Sequence, residues 1–180
     1  RSLAFDGTTY AETTTNSLAV PFEGDVVMST STKFLMSRQG DASGTQLAFV
    51  LHALDATADG DHYDLNAPIV GRYCVSGGKP AFSYDDRFVV YHHAVDGTSD
   101  AEAQELGYTG IDDVGFRGYI DTGAINIWLL DLTTGVPQRI TRMEPGQYAM
   151  FPHFRSDGWI YFMVKENGNE YVVASDARLR

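Results

Sequence analysis

The chain has 180 residues, enough for a domain with a buried core, and its 24 acidic and 13 basic side chains give a formal net charge of −11. This charge argues against a nucleic-acid-binding protein, which needs a basic surface. No stretch reaches the ~18 consecutive apolar residues of a membrane span, and one cysteine excludes both an intrachain disulfide and a cysteine-based zinc ribbon.

Short apolar runs between turn residues fill most of the chain and predict an all-β fold. The first of them are Phe34–Arg38 and Gln46–Leu51, which we interpret as the two strands of a hairpin with a long turn. Residues 1–30 show no pattern that we can assign.

An acidic segment follows at residues 55–64 and resembles the aspartate-rich loops of calcium-binding modules. Calcium takes about six to eight oxygen ligands, and alternating carboxylates on a turn supply several of them. Thr57 stands where the first aspartate of such a loop is expected, and no bidentate glutamate follows. We predict a calcium site at Asp55, Asp59, Asp61 and Asp64; the alternative is an acidic, solvated hairpin loop.

A repeat is the most informative feature of the sequence. Residues 80–91 and 152–163 align without a gap as Pro, any residue, Phe, a polar residue, any residue, Asp, Asp or Gly, any residue, and four mostly apolar residues. In each copy a strand ends at the Phe, an Asp caps the turn, and Asp86 or Gly158 takes the tight position. The pattern predicts two β-hairpins.

Each hairpin is followed by a third strand, at 124–132 in the first copy and 170–176 in the second. In the first copy a turn and an outer strand, 136–141, follow, and Pro137 suits an edge position.

The two hairpins begin 72 residues apart, and about 30 of these residues form a polar, acidic insertion at 94–123. We expect a short helix at Thr98–Leu106, with Ser99 or Asp100 as its N-cap and Gly107 as its stop. Phe116 and Tyr119 lie in the insertion, where no core obviously needs them. We therefore predict that these two rings contact another protein chain.

The hairpin, the third strand with its Asp-Leu-Thr-Thr-Gly ending, and the segment Arg139-Ile140-Thr141 together resemble a blade of the TolB-like (WD40-like) β-propellers. The resemblance implies an all-β fold of about three to four blades, or a partial propeller, in a single domain at 1–180. It implies a weak blade at about 30–75, a strong blade at 80–141 with the insertion 94–123, and an incomplete blade at 152–180. Because TolB-type proteins are periplasmic, it also implies a periplasmic, secreted or cell-surface location.

A propeller normally closes with about four to eight blades, whereas this sequence offers between two and a half and four. We therefore expect another protein chain, or the rest of a longer polypeptide, to complete it. The function this favours is a non-catalytic module for protein–protein interaction or structural assembly, stabilised by the predicted calcium and using no other cofactor. The alternative is a propeller-fold enzyme such as a glycoside hydrolase, with carboxylates at a central funnel that the sequence does not single out.

Neighbouring histidines offer a further route to a metal site. His92 and His93 are adjacent on a predicted strand, so their side chains point to opposite faces and cannot readily share one ion. A site that combines either of them with His153 has no spacing signature.

Overall fold

The computed structural model describes residues 2–14, 23–40, 47–59 and 62–179. These residues form fifteen β-strands, two α-helices and one short 3-10 helix, so the all-β class is confirmed. The chain divides into two compact units, 1–74 and 75–180, and the single propeller-type domain at 1–180 stays a prediction.

The first unit contains two hairpins and one four-stranded antiparallel sheet, the first sheet. In chain order its strands are β1 (Ser2–Phe5), β2 (Tyr10–Thr14), β3 (Glu23–Met28), β4 (Phe34–Gly40), β5 (Leu47–Ala53), β6 (Asp55–Asp59), β7 (His62–Asn66) and β8 (Ile69–Tyr73). The order in the first sheet is β3-β4-β5-β8, while β1 pairs with β2 and β6 with β7. The β6–β7 hairpin is thus inserted between the third and fourth strands.

The described strands of the second unit form one seven-stranded sheet, and its two antiparallel halves are called the second and third sheets. The second sheet consists of β9 (Gly78–Phe82), β10 (Phe88–Ala94), β11 (Ile125–Asp131) and β12 (Pro137–Arg139), and the third sheet of β13 (Gln147–Phe154), β14 (Ile160–Glu166) and β15 (Asn169–Ser175). A single parallel pair, Ile125 with Tyr148, links the two sheets. The helices α1 (Asp100–Glu105) and α2 (Val114–Thr122) lie between β10 and β11, and the 3-10 helix Ala177–Leu179 follows β15. The helix expected at Thr98–Leu106 is therefore confirmed.

The turn between the first two strands is built alike in all three sheets. A side-chain oxygen accepts a hydrogen bond from the backbone N–H two residues later: Ser31 from Lys33, Asp85 from Arg87, and Asp157 from Trp159. The residue between donor and acceptor has a positive φ in each case: Thr32, Asp86 and Gly158. Thus the predicted hairpins at 80–91 and 152–163 are confirmed, and a third copy of the turn lies in the first unit.

The third copy corrects the alignment of the weak blade. The sequence analysis places Phe34–Arg38 before the turn, whereas these residues belong to β4, the strand that follows it. The turn is formed instead by residues 29–34, in which buried Ser29 accepts the N–H of Phe34 just as buried Ser83 accepts the N–H of Phe88. Serine and threonine there replace the Asp and Gly that mark the other copies, because a hydroxyl also accepts the N–H of a turn.

The three turns recur at similar spacings once the segments between the interrupted strands are set aside. Ser29 and Ser83 are 54 residues apart, and removing the 15 residues between β5 and β8 leaves 39. Ser83 and Arg155 are 72 residues apart, and removing the 30 residues between β10 and β11 leaves 42. One structural unit of about 40 residues therefore recurs along the chain.

The second and third sheets pack face to face. Val90, Ile127 and Leu129 share one core with Ile160, Phe162 and Val164. In the third turn the N–H of Arg155 donates to the carbonyl of Trp159, four residues later. In the second turn the N–H of Ser83 donates to the carbonyl of Phe88, five residues later, so the third turn is one residue shorter. Ile160 therefore occupies the position of Val89 in the sheet, opposite the Phe that ends the preceding strand. The two sheets thus meet through non-equivalent faces.

The face of the third sheet that is equivalent to the Val90 face of the second sheet points away from the core that the two sheets share. Met150, Tyr161, Met163 and Val172 lie on it, according to the register of β13, β14 and β15. We call these four residues the open face. Val172 is 71% exposed, and the other three are half-buried.

Candidate functional site

The insertion 94–123 forms an ordered helical cap on the second unit. Ser99 is the N-cap of α1 and accepts the N–H of Glu102 at 3.2 Å, and Gly107, with a φ of 96°, follows the helix as predicted. Asp113 is the N-cap of α2 and accepts the N–H of Gly115 at 2.8 Å. Both helices therefore begin at side chains that satisfy their first free N–H groups.

The rings predicted to contact a partner are buried in the insertion itself. Phe116 is 0% exposed and Tyr119 is 4% exposed. They share a small core with Val95, Ala103, Leu106 and Ala124, and Tyr108 packs against both rings. The expectation that these rings lie outside a core is therefore corrected. Each short helix buries too little apolar surface alone, and the two rings supply the apolar surface through which the helices pack together.

Polar contacts tie the insertion to the segment around β12. The Arg139 guanidinium, which is buried, forms an ion pair with Glu105 of α1 at 3.0 Å. The Arg142 guanidinium donates to the carbonyl of Leu106, and the Tyr119 hydroxyl donates to the carbonyl of Met143. The insertion is thereby anchored on both of its helices.

A cluster of three ligand-type side chains lies where the insertion leaves β10. The ligand atoms of His93, Asp96 and Glu102 all lie within 4.8 Å of one another, and within the described ranges this is the one such group of three. His93 Nε2 is 3.7 Å from Glu102 Oε1, and both side chains are largely buried. Asp96 is exposed and accepts the N–H and the hydroxyl of Thr98 through Oδ1 at 3.0 and 2.7 Å.

Aromatic groups surround this cluster. Trp128 meets the His93 ring edge to face, with the centroids 6.1 Å apart. Burial, together with the negative charge of Glu102, raises the pKa of the Tyr91 hydroxyl, so this phenol stays neutral over the physiological range. The Tyr91 phenol therefore adds no charge of its own to the cluster.

The strand register shows which of the histidines could share a metal site. His92 pairs with Ile127 and His93 with Asn126, so the two rings leave β10 on opposite faces. His92 Nδ1 accepts the N–H of Phe151, and the His153 ring stacks on Tyr161. His93 therefore joins carboxylates of the insertion instead of another histidine.

The residues predicted to bind calcium fall on the β6–β7 hairpin. Asp55 and Asp59 lie in β6 and Asp64 in β7, whereas Asp61 lies outside the described residues. Asp64 pairs with Thr57, two residues from Asp55, so Asp55 and Asp64 project from the same face and line one shallow, open concavity. The calcium site stays a prediction.

Neither α2 nor the His93–Asp96–Glu102 cluster is predicted from the sequence. The signals for α2 were present in Asp113 as an N-cap and in the helical spacing of Phe116, Tyr119 and Ile120. The cluster has no motif, because α1 brings Glu102 back to the end of β10 through tertiary packing.

Neither helix in the described part of the chain is long and apolar enough to cross a bilayer. No protein-family model matches the sequence, and no curated protein matches it. Among solved structures, TolB from Acinetobacter baumannii is similar over 86% of this chain, with 11% sequence identity and a TM-score of 0.39. The chain spans 41% of the length of that TolB chain. A likeness at this level carries no argument about function.

Proposed function

We propose that the chain is a non-catalytic module of the β-propeller type, which assembles through contacts between sheets. One observation carries the proposal: the same capped turn begins three sheets at similar spacings, 39 and 42 residues, once the segments between the interrupted strands are set aside. Propeller blades of the WD40 type repeat at about 40–45 residues.

The packing of the second and third sheets supports the same proposal. In a two-layer sandwich related by a twofold axis, equivalent faces of two repeats would meet. Here the Val90 face of one repeat meets the non-equivalent Ile160 face of the next. Packing of this kind can continue from one repeat to the next, as it does around the axis of a propeller.

The repeated packing also suggests a binding role for the open face. The equivalent Val90 face of the second sheet is covered by the third sheet, so the open face is suited to packing against a further sheet of the same kind. In the first unit, Met28 and Ile69 are each about half exposed, so the first sheet also offers apolar surface. A second copy of the chain can therefore supply the sheet by head-to-tail association.

Light scattering and native mass spectrometry of the purified chain test this assembly. We expect wild-type protein to associate with rising concentration and Val172→Asp to remain monomeric, because the new charge would be buried in the contact. Val114→Asp is the matched control, since Val114 is 86% exposed and lies on α2, which is not part of the open face. A wild-type chain that stays monomeric, with a Val172→Asp variant indistinguishable from it, would show that this face does not bind a second copy.

Two further parts of the proposal rest on the sequence alone. The envelope or extracellular location follows from the TolB-like repeat pattern, and fractionation of cells that express the native gene tests it. Calcium at the β6–β7 hairpin is tested by the melting temperature with calcium and with a chelator. Wild-type protein should lose stability on chelation, and the Asp55→Asn, Asp64→Asn double variant should not respond.

A further inference from the structure

One oxygen of the buried Glu102 carboxylate, Oε1, has no hydrogen-bond donor among the residues that the structure describes. The Glu102 side chain is 7% exposed. Buried carboxylates are ordinarily hydrogen-bonded or paired, because removing the charge from water is costly. His93 Nε2 faces this oxygen at 3.7 Å, a distance too long for a hydrogen bond. We propose that His93, Asp96 and Glu102 bind a divalent transition-metal ion, with Zn²⁺ as the first candidate.

The spacing of the three side chains fits this role. Their ligand atoms lie within 4.8 Å of one another. Zinc bonds to imidazole nitrogen and carboxylate oxygen are about 2.0–2.2 Å long, so two ligand atoms of a tetrahedral ion lie about 3.3–3.6 Å apart. The His93–Glu102 pair, at 3.7 Å, is close to this separation, and a rotation of the exposed Asp96 side chain would complete the set.

Charge and ligand type favour a transition metal over calcium. Two carboxylates and one neutral imidazole carry a charge that a divalent ion cancels, which removes the cost of burying Glu102. Imidazole is a ligand of zinc and its neighbours, whereas calcium and magnesium prefer oxygen alone. Three protein ligands leave one tetrahedral position for water on the exposed side of Asp96.

An ion bound at this site would connect β10 to the helical insertion. His93 lies in β10, Asp96 follows the strand, and Glu102 lies in α1. One ion therefore joins the insertion to the second sheet at the point where the chain leaves it. Binding should fix α1 against the end of β10.

Titration of untagged, chelator-treated protein with Zn²⁺, followed by calorimetry, tests the site. We expect one ion per chain, and each of Glu102→Gln, His93→Ala and Asp96→Asn should weaken binding by more than the roughly 10–100-fold that loss of an outer-shell partner costs. His153→Ala and Asp121→Asn remove a histidine and an exposed carboxylate elsewhere in the second unit, and should bind as wild type does. Circular dichroism shows that each variant is folded.

Hydrogen exchange gives a second reading that does not depend on the variants. Zn²⁺ should slow amide exchange in α1 and leave the β6–β7 hairpin unchanged. The proposal is overturned if wild-type protein takes up no ion at one per chain. It is also overturned if the ion is lost in the Asp55→Asn, Asp64→Asn variant but kept in Glu102→Gln, since zinc would then lie on the hairpin.

Discussion

Truncating Phe116 decides between two roles of the insertion. The sequence predicts that the Phe116 ring contacts another protein chain, whereas in the structure the ring is completely buried among residues of both helices. Phe116→Ala removes a buried ring and leaves a cavity, a change that typically costs about 3–5 kcal/mol. A ring on the surface would cost little on truncation.

The size of the expected loss makes the measurement practical. With a urea slope of about 2 kcal/mol/M, a loss of about 4 kcal/mol lowers the unfolding midpoint by about 2 M. Against a total stability of about 5–15 kcal/mol, the variant should be measurably folded at low temperature or with stabilising osmolyte. Trp128, which contacts His93 at the base of the insertion, reports the transition by fluorescence in a Trp159→Phe background.

Val114→Ala is the matched control, because Val114 lies on the same helix and is 86% exposed. It should change the free energy of unfolding by less than about 0.5 kcal/mol. If Phe116→Ala cost no more than this control, the ring would not be packed as the structure places it, and a partner-binding role would return. A loss seen by circular dichroism but not by Trp128 would mean that the insertion unfolds independently of the second sheet.

Three further perturbations test the repeated turn and the caps. Ser83→Ala removes the side-chain acceptor of the partly buried Phe88 N–H and should cost about 1 kcal/mol in urea unfolding, whereas Ser156→Ala, at an exposed turn position, should be neutral. Gly158→Ala puts a side chain at a φ of 89° and should cost more than about 1 kcal/mol in thermal unfolding, while Gly118→Ala, in α2 with open space around it, should stabilise by about 0.5–1 kcal/mol. The N–H and hydroxyl of Thr109 hold the pKa of Asp113 below its ordinary value of 3.8, so its contribution to stability is present above that pH and is lost as the pH falls through the lower folded value. An NMR titration of Asp113 that gave a pKa at or above 3.8 would contradict this cap geometry.

The parts of the fold that the sequence predicts are those with local signals. Asp-Asp and Asp-Gly at 85–86 and 157–158 identify two turns, because these residues cap the backbone and tolerate a positive φ. The equivalent turn at 29–34 is built from Ser and Thr, which are weaker turn signals, and its identity emerges from the shared hydrogen bonds. For α2, Gly115 and Gly118 lower the helix propensity, and tertiary packing of its two aromatic rings overrides it.

The candidate metal site belongs to the part that sequence reasoning cannot reach. His93, Asp96 and Glu102 have the spacing of no known ligand motif, and Glu102 is one acidic residue among 24. What distinguishes it is its placement on the buried side of α1 beside Ala103 and Leu106. A carboxylate on an apolar helix face is a signal of function or pairing, but it becomes visible after the helix has been placed.

The two inserted segments leave their sheets at opposite ends, and this follows from the strand order alone. In an antiparallel sheet the connection between strands one and two lies at the same end as that between strands three and four. The β6–β7 hairpin therefore lies at the end of the first sheet that bears the repeated turn, whereas the helical insertion lies at the opposite end of the second sheet. The predicted calcium site therefore lies at the end of the first sheet that bears its repeated turn, whereas the proposed zinc site lies at the end of the second sheet that is remote from its repeated turn. The two ions should then act independently, and saturating one site should leave the affinity of the other unchanged.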